Sequence, residues 1–336
     1  MSKNIDLSST VAGIELKNPV LAASGTFGYG LLYEKFFDVS VLGGFVTKGL
    51  SLKPKAGNPA PRICETPSGM LNAIGLQNIG FDKFAGQKLP KLSKIGTSVI
   101  VNFFGDTIDE YVAMAERLDD TAGVHGLEMN ISCPNVEKGG AAFGKDLKTT
   151  EKVVSACRGV TSKPLIVKLT PDVADIAEFA RVCEANGADG ISVINTVPGM
   201  AIDIRSRKPV LANITGGLSG PAIKPIAVRM VWRCYEAVDI PIFGIGGIAC
   251  AEDIVEFMLA GASAVQIGTM NFVDPSICAR LIDDLKILLK ELGANEAYEA
   301  GGATEAGGAN GAKMTNAGAT GAADGYKGLI GAAHRT

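Results

Sequence analysis

Histidine is almost missing from this chain: two residues, His125 and His334, in 336. A reaction that moves protons near neutral pH would have to use another group. The seven cysteines, at 64, 133, 157, 183, 234, 250 and 278, contain no Cys-x-x-Cys pair. That spacing excludes a disulfide framework and a zinc or iron–sulfur site, and it points to a reducing compartment. No stretch holds about 18 uncharged apolar residues in a row. The opening MSKNIDLSSTVAGIEL lacks the apolar run of a signal peptide. The expectation is therefore a cytoplasmic protein without a membrane anchor. Neither charge sign dominates: 32 Lys and Arg stand against 35 Asp and Glu, for a net −3. Such a chain has no field to draw in nucleic acid or an anionic membrane.

What is present is a rhythm. Short apolar runs rich in Val, Ile and Ala alternate with longer segments of helical spacing, the pattern of a parallel sheet built from strand–helix units. Eight runs stand out: PVLAAS (19–24), FVTKGLS (45–51), SVIVNFFG (98–105), GLEMNISC (126–133), PLIVKLT (164–170), GISVINT (190–196), PIFGIGGI (241–248) and SAVQIGT (263–269). Amphipathic segments lie at 108–120, 148–160, 172–187, 221–238, 251–261 and 275–293. With seven or eight helices, this predicts an α/β protein, a (β/α)8 TIM barrel, occupying residues 1–293. The inserts 53–94 and 198–220 are too long for plain connections and read as a lid or pocket wall. From 294 to 336 the composition turns to Gly, Ala, Asn and Thr, which predicts a disordered tail, either a solvated extension or a linker or partner-binding segment.

In a barrel of this kind the working residues lie at the C-terminal ends of the strands. Those ends carry Ser24 and Gly25, Lys48 and Gly49, Asn102, Asn130 with Cys133, Lys168, Asn195 with Thr196, Gly246 with Gly247, and Gly268 with Thr269. Three asparagines and two lysines in one half-enclosed ring need hydrogen-bonding partners, which a polar, planar ligand would supply. The glycines after the last two strands let backbone amides approach a phosphate, although plain tight turns would look the same. GIGGIA also fits the loose dinucleotide pattern G-x-G-x-x-A, but the next strand ends in Gly268 and Thr269 rather than in an acid that could hold a ribose. Lys48 and Lys168 are either anion-binding groups or halves of structural ion pairs.

His125 precedes its strand, at the opposite face of the barrel, and His334 lies in the tail, so neither is placed to act as an acid or base at the mouth. Cys133, just beyond the fourth strand, is the candidate that remains. Its unperturbed pKa of about 8.5 is open to tuning by burial or by cations. The cysteines at 157, 183, 234 and 278 fall on helices and read as small apolar fillers.

The stretches NISCPN (130–135), NAIGLQN (72–78), INTVPGMAID (194–203), GGLSGPAIKP (216–225) and FGIGGI (243–248) resemble the dihydroorotate dehydrogenase family. Within it they are most similar to the catalytic subunit of the NAD-dependent class 1B. The similarity runs from about Asp6 to Gly293. It implies FMN across the mouth of the barrel and oxidation of dihydroorotate to orotate in pyrimidine biosynthesis, with Cys133 as general base. It implies that Lys48, Asn72, Ala73, Ile74, Gly75, Leu76, Asn130, Asn195 and Thr196 bind substrate. FMN would meet Ser24, Lys48, Gly49, Asn102, Asn130, Lys168, Ile194, Gly220, Gly246, Gly247, Gly268 and Thr269. Metal has no part in it. The chain carries no cysteine cluster of its own, and the resemblance implies a partner subunit with FAD and [2Fe–2S] that passes electrons to NAD+ in a heterotetramer of two catalytic and two electron-transfer chains. The Gly/Ala-rich tail lies outside the family pattern.

Three alternatives remain at this point. One is the fumarate-using class 1A, which also employs cysteine. Another is a different FMN barrel, of which a dihydrouridine-reducing protein would need a basic RNA-binding face. The third is a non-redox phosphate-binding isomerase barrel or binding scaffold.

Overall fold

The computed structural model describes residues 5–132, 143–293 and 325–335. Eight parallel strands close into a barrel. They are β1 (Val20–Ala22), β2 (Gly44–Val46), β3 (Ser98–Phe103), β4 (Gly126–Asn130), β5 (Leu165–Leu169), β6 (Gly190–Val193), β7 (Ile242–Ile245) and β8 (Ala264–Ile267). Each pairs with its neighbours in chain order, and β8 pairs with β1 to complete the ring. All eight apolar runs thus become barrel strands. Their residues are buried nearly throughout because the inner face fills the barrel and the outer face meets helices.

The six amphipathic segments form α1 (Ile108–Asp119), α2 (Leu147–Arg158), α3 (Ile176–Ala185), α4 (Lys224–Tyr235), α5 (Ala251–Leu259) and α6 (Ile277–Glu291). Side-chain caps start three of them: Thr107 accepts from the amide of Glu110, Asp146 from Thr149 and Asp175 from Ala177. The apolar stripe of α6, Ile277, Leu281, Leu285 and Leu289, recurs every fourth residue and is buried. The first two connections differ from the expected helix. After β1 there are only two 3-10 turns, and after β2 a helical stretch over residues 81–92 contains a π turn at Phe84–Lys88.

Two features close the ends. At the N-terminal end, an antiparallel hairpin, Ser9–Val11 with Ile14–Leu16, inserts Val11, Ile14 and Leu16 against Leu21, Val46, Ile100, Ile166 and Phe243 from the barrel interior. A Cβ on Gly126 would sit 2.5 Å from Ile14 Cδ1, so the first residue of β4 must be small for the plug to seat. At the C-terminal end the two long inserts meet in one antiparallel sheet of four strands, ordered Val197–Met200, Thr215–Ser219, Gly69–Asn72 and Ile63–Thr66.

The expectation of a disordered tail is corrected for 325–335. Gly325–Leu329 and Ala332–Arg335 are 3-10 turns packed on the barrel. Tyr326 is buried, and the His334 ring stacks on Trp232 of α4 with centroids 3.5 Å apart. Gly331 N donates to Met258 O at 2.9 Å. The physical reason is local composition: Tyr326, Leu329 and Ile330 supply apolar surface that the Gly/Ala repeat before them lacks. His334 is thus held at the helix layer, far from the role of a loose terminal residue.

Candidate active site

A cavity of about 1270 Å³ opens at the C-terminal ends of the strands, between the barrel and the four-stranded sheet. Every strand-end residue singled out from the sequence, apart from Cys133, lines it. Ser24, Lys48 and Gly49 follow β1 and β2; Asn102, Asn130 and Lys168 lie on β3, β4 and β5; Ile194, Asn195 and Thr196 follow β6. Asn72, Ala73, Ile74, Gly75 and Leu76 form the wall supplied by the first insert, and Gly220 comes from the end of the second. Gly246, Gly247, Gly268 and Thr269 close the ring after β7 and β8.

The two lysines differ. Lys48 has no ion-pair partner among the described residues, and burial, with the Arg62 charge nearby, holds its ammonium below the ordinary 10.5. It is a desolvated cation facing open space, so an anion there would gain a charge-assisted hydrogen bond. Lys168 is shared: it lines the cavity, and its Nζ lies 3.5 Å from Oε1 of the fully buried Glu128. It is both an ion-pair member and a positive charge on the cavity floor.

The asparagines act in pairs. Asn195 Nδ2 donates to Asn130 Oδ1 at 3.3 Å and to Ser132 Oγ at 3.0 Å, while its Oδ1 accepts from the amide of Thr196. The carbonyl of Asn130 accepts from Tyr111 Oη at 2.6 Å, which anchors the tip of β4 to α1. Asn102 Nδ2 donates to Glu128 Oε1 at 2.7 Å. A carboxylate can only accept, so this bond turns the Asn102 carbonyl oxygen towards Gly49 and the cavity.

The glycines are required sterically. Gly247 has φ +82, and a Cβ there would lie 2.7 Å from Lys224 Cβ and 2.8 Å from its backbone nitrogen. Gly220 has φ +96 and would meet the Cα of Gly69 at 2.7 Å. Both glycines line the cavity, and any larger residue would have to push its neighbours aside to keep the backbone there. The α5 N-terminus is occupied by its own Asp253, whose carboxylate accepts from the amides of Ala249 and Cys250, so it is the loops after β7 and β8 that remain open to an anion.

Cys133 lies outside the described residues, one position beyond Ser132. The helix cysteines are inert by environment: burial pushes the thiols of Cys157 and Cys234 up to about 12 and raises those of Cys183 and Cys278 as well. His125 sits at the N-terminal end of β4, where its Nδ1 accepts from the amide of Val99 and burial lowers its pKa. Among the described residues no cluster of His, Cys, Asp and Glu could hold a metal.

The dihydroorotate dehydrogenase family model matches residues 6–289, the whole barrel with its inserts. The chain belongs to the dihydroorotate dehydrogenase family. Curated relatives named "Dihydroorotate dehydrogenase B (NAD(+)), catalytic subunit" are 56% identical over 300 residues in Pelobacter propionicus, covering 89% of this chain and 99% of the relative. The same name is borne by a relative in Geotalea uraniireducens, 56% identical over 298 residues and covering 89% and 98%, and by one in Geobacter metallireducens, 55% identical over 303 residues and covering 90% and 99%.

For this member of the dihydroorotate dehydrogenase family, sequence reasoning missed the layer beneath the cavity. Glu128, Ser192 and Gln266 point inward from β4, β6 and β8 and are buried. The signal was available, since a charge inside GLEMN and an amide inside AVQIG have to find partners in a barrel core. Arg62, on the cavity wall, was also missed; its Nη2 donates to Gln77 Oε1 at 2.6 Å. Among the described residues, no helix is long and apolar enough to cross a membrane.

Proposed function

We propose that the chain is the catalytic subunit of a class 1B dihydroorotate dehydrogenase, which oxidises dihydroorotate to orotate in pyrimidine biosynthesis and holds FMN in the cavity at the barrel mouth. The observation that carries this reading is the convergence of all five motif-bearing stretches on that one cavity, with two lysines and four asparagines around it. Family membership selects the reaction from those such a site could host.

The residues fit FMN. The space is large enough for an isoalloxazine beside a pyrimidine, and the open backbone at Gly246, Gly247, Gly268 and Thr269 suits a phosphate. The Asn102 carbonyl oxygen suits an imide N–H, and Lys168 places positive charge on the floor. When bound, the flavin would supply a two-electron acceptor for the hydride leaving the substrate.

The chain's own groups would do the rest. Lys48 would bind the substrate carboxylate, whose negative charge relieves the unpaired ammonium. Asn72, Asn130 and Asn195 would pair with the pyrimidine edge, and the backbone from Ala73 to Leu76, with Thr196, would cover its other face. Cys133, beside this cluster in sequence, would take the proton from the carbon alpha to the substrate's ring carbonyl, while the adjacent carbon gives up the hydride. The wall sheet would cover the reacting carbons.

Electrons then leave for a second protein, as the relatives' name "catalytic subunit" supports. That partner would carry FAD and a [2Fe–2S] cluster, deliver electrons to NAD+ and assemble as two catalytic and two electron-transfer chains in the cytoplasm. The test is anaerobic: chain reconstituted with FMN should turn yellow and bleach when dihydroorotate is added. A chain that takes up no FMN, or whose flavin stays oxidised, would sink the reading. Turnover with NAD+, fumarate and quinone as acceptors, with and without the co-expressed partner, separates class 1B from class 1A.

A further inference from the structure

Under the cavity floor lies a carboxylate that the reaction above does not use. Glu128 is fully buried at the centre of the barrel. Its Oε1 accepts from Asn102 Nδ2 at 2.7 Å and faces Lys168 Nζ at 3.5 Å. Its Oε2 accepts from Ser192 Oγ at 2.8 Å and Gln266 Nε2 at 2.7 Å. The donors come from β3, β5, β6 and β8, so one side chain ties its own strand to four others of the barrel. Only two of them, Asn102 and Lys168, reach the cavity.

We propose that Glu128 is a positioning residue that orients Asn102 and tempers the charge of Lys168, and thereby sets the reduction potential of the flavin. This rests on the FMN reading above. Three observations carry it. The Asn102 carboxamide is oriented by its bond to Glu128, which decides that an acceptor and not a donor faces the ligand. The Lys168 ammonium has its counter-ion on the side away from the cavity, and with Glu128 wholly out of water no solvent screens that charge from the floor. Gln266 directs its amide nitrogen at Glu128 although this leaves its own Oε1 buried with no partner among the described residues. An orphaned acceptor costs roughly 1–3 kcal/mol, which a barrel filled only for packing would avoid with an apolar side chain.

The discriminating variant is Glu128→Gln, which removes the charge and keeps the shape. The new amide nitrogen would face Ser192 Oγ, which can accept, and Gln266, whose flipped amide would present its unpartnered Oε1. The variant therefore has a route to a satisfied core. Measured by dye equilibration on the FMN-loaded full chain, its two-electron midpoint potential is expected to rise. The uncompensated Lys168 charge would favour the reduced cofactor about tenfold, or roughly 30 mV. FMN stoichiometry and thermal midpoint should stay near wild type. An E128Q potential equal to or below that of wild type would overturn the proposal.

Should E128Q fail to fold, Ser192→Ala carries the test. It strips one donor from Glu128 without touching the cavity lining, leaves the carboxylate less neutralised, and should lower the potential. An unchanged or raised value overturns the proposal. The two readings fail separately. A wild-type chain that takes up no FMN removes the FMN reading, whereas normal wild-type bleaching with an unmoved potential in these variants removes only the role of Glu128.

Discussion

The two ends of this barrel solve opposite problems. The N-terminal end is sealed: a hairpin fills it with Val11, Ile14 and Leu16, His125 is spent on a backbone amide, and the terminal turns around Tyr326 and His334 lie over the C-terminal ends of α4 and α5. The C-terminal end is kept open and polar, with a lysine that has no ion-pair partner among the described residues and glycines whose Cβ positions are already taken. Apolar burial stabilises the first. The second gives up some of that stabilisation for a shape that a ligand completes. Substitutions at the mouth should therefore change chemistry with little effect on melting, and those at the base the reverse.

The largest effect should come at the mouth. Cys133→Ala is expected to slow dihydroorotate-driven flavin bleaching by about 10²–10⁴-fold while FMN stays bound, as stopped-flow absorbance would record. Bleaching at the wild-type rate would remove Cys133 from the mechanism.

Next is Lys48→Ala. Loss of one hydrogen bond between charged groups costs about 1.5–3 kcal/mol, or roughly 10–100-fold in the dissociation constant of orotate. The pH dependence has a definite sign. Lys48 is penalised in the folded chain while protonated, so stability rises as pH climbs from its depressed value towards 10.5. Orotate needs the protonated form, so its affinity should fall over that same interval. Titration calorimetry should find this slope in wild type and a flat profile in K48A.

Gly247→Ala should weaken FMN binding, since φ +82 and a 2.7 Å approach to Lys224 force the loop to shift. A loop displaced in this way no longer presents its amides to a phosphate, and a flavin-to-protein ratio after gel filtration would register the loss. At the base, His334→Ala should lower the melting temperature by a degree or two, for a loss of about 0.5–1.5 kcal/mol of stacking on Trp232. Its FMN content and bleaching rate should stay at wild-type values. A base variant that lost flavin, or a mouth variant that melted much earlier, would break the contrast between the ends.

The barrel was legible because its signals are local. Each apolar run and each amphipathic stripe declares itself within about a dozen residues, and position at a strand end then gathers Lys48, Asn102, Lys168 and Asn195 into one site without further information. What escaped was non-local. Asn72 and Gly217 pair although 145 positions separate them, so the shared wall sheet could be anticipated as two inserts but not as one structure. Glu128 has no partner within its own segment, because its donors sit on four other strands. The tail misled by averaging: the Gly/Ala repeat dilutes the Tyr326, Leu329 and Ile330 that dock its end.

The stitched wall has a practical consequence for anyone reshaping the chamber. Because Gly69–Asn72 and Thr215–Ser219 are neighbours in one ladder, lengthening or trimming either excursion shifts the register of the other, and every alternate side chain would trade its inward view for an outward one. Redesigning ligand preference here would mean rebuilding both segments as a matched set.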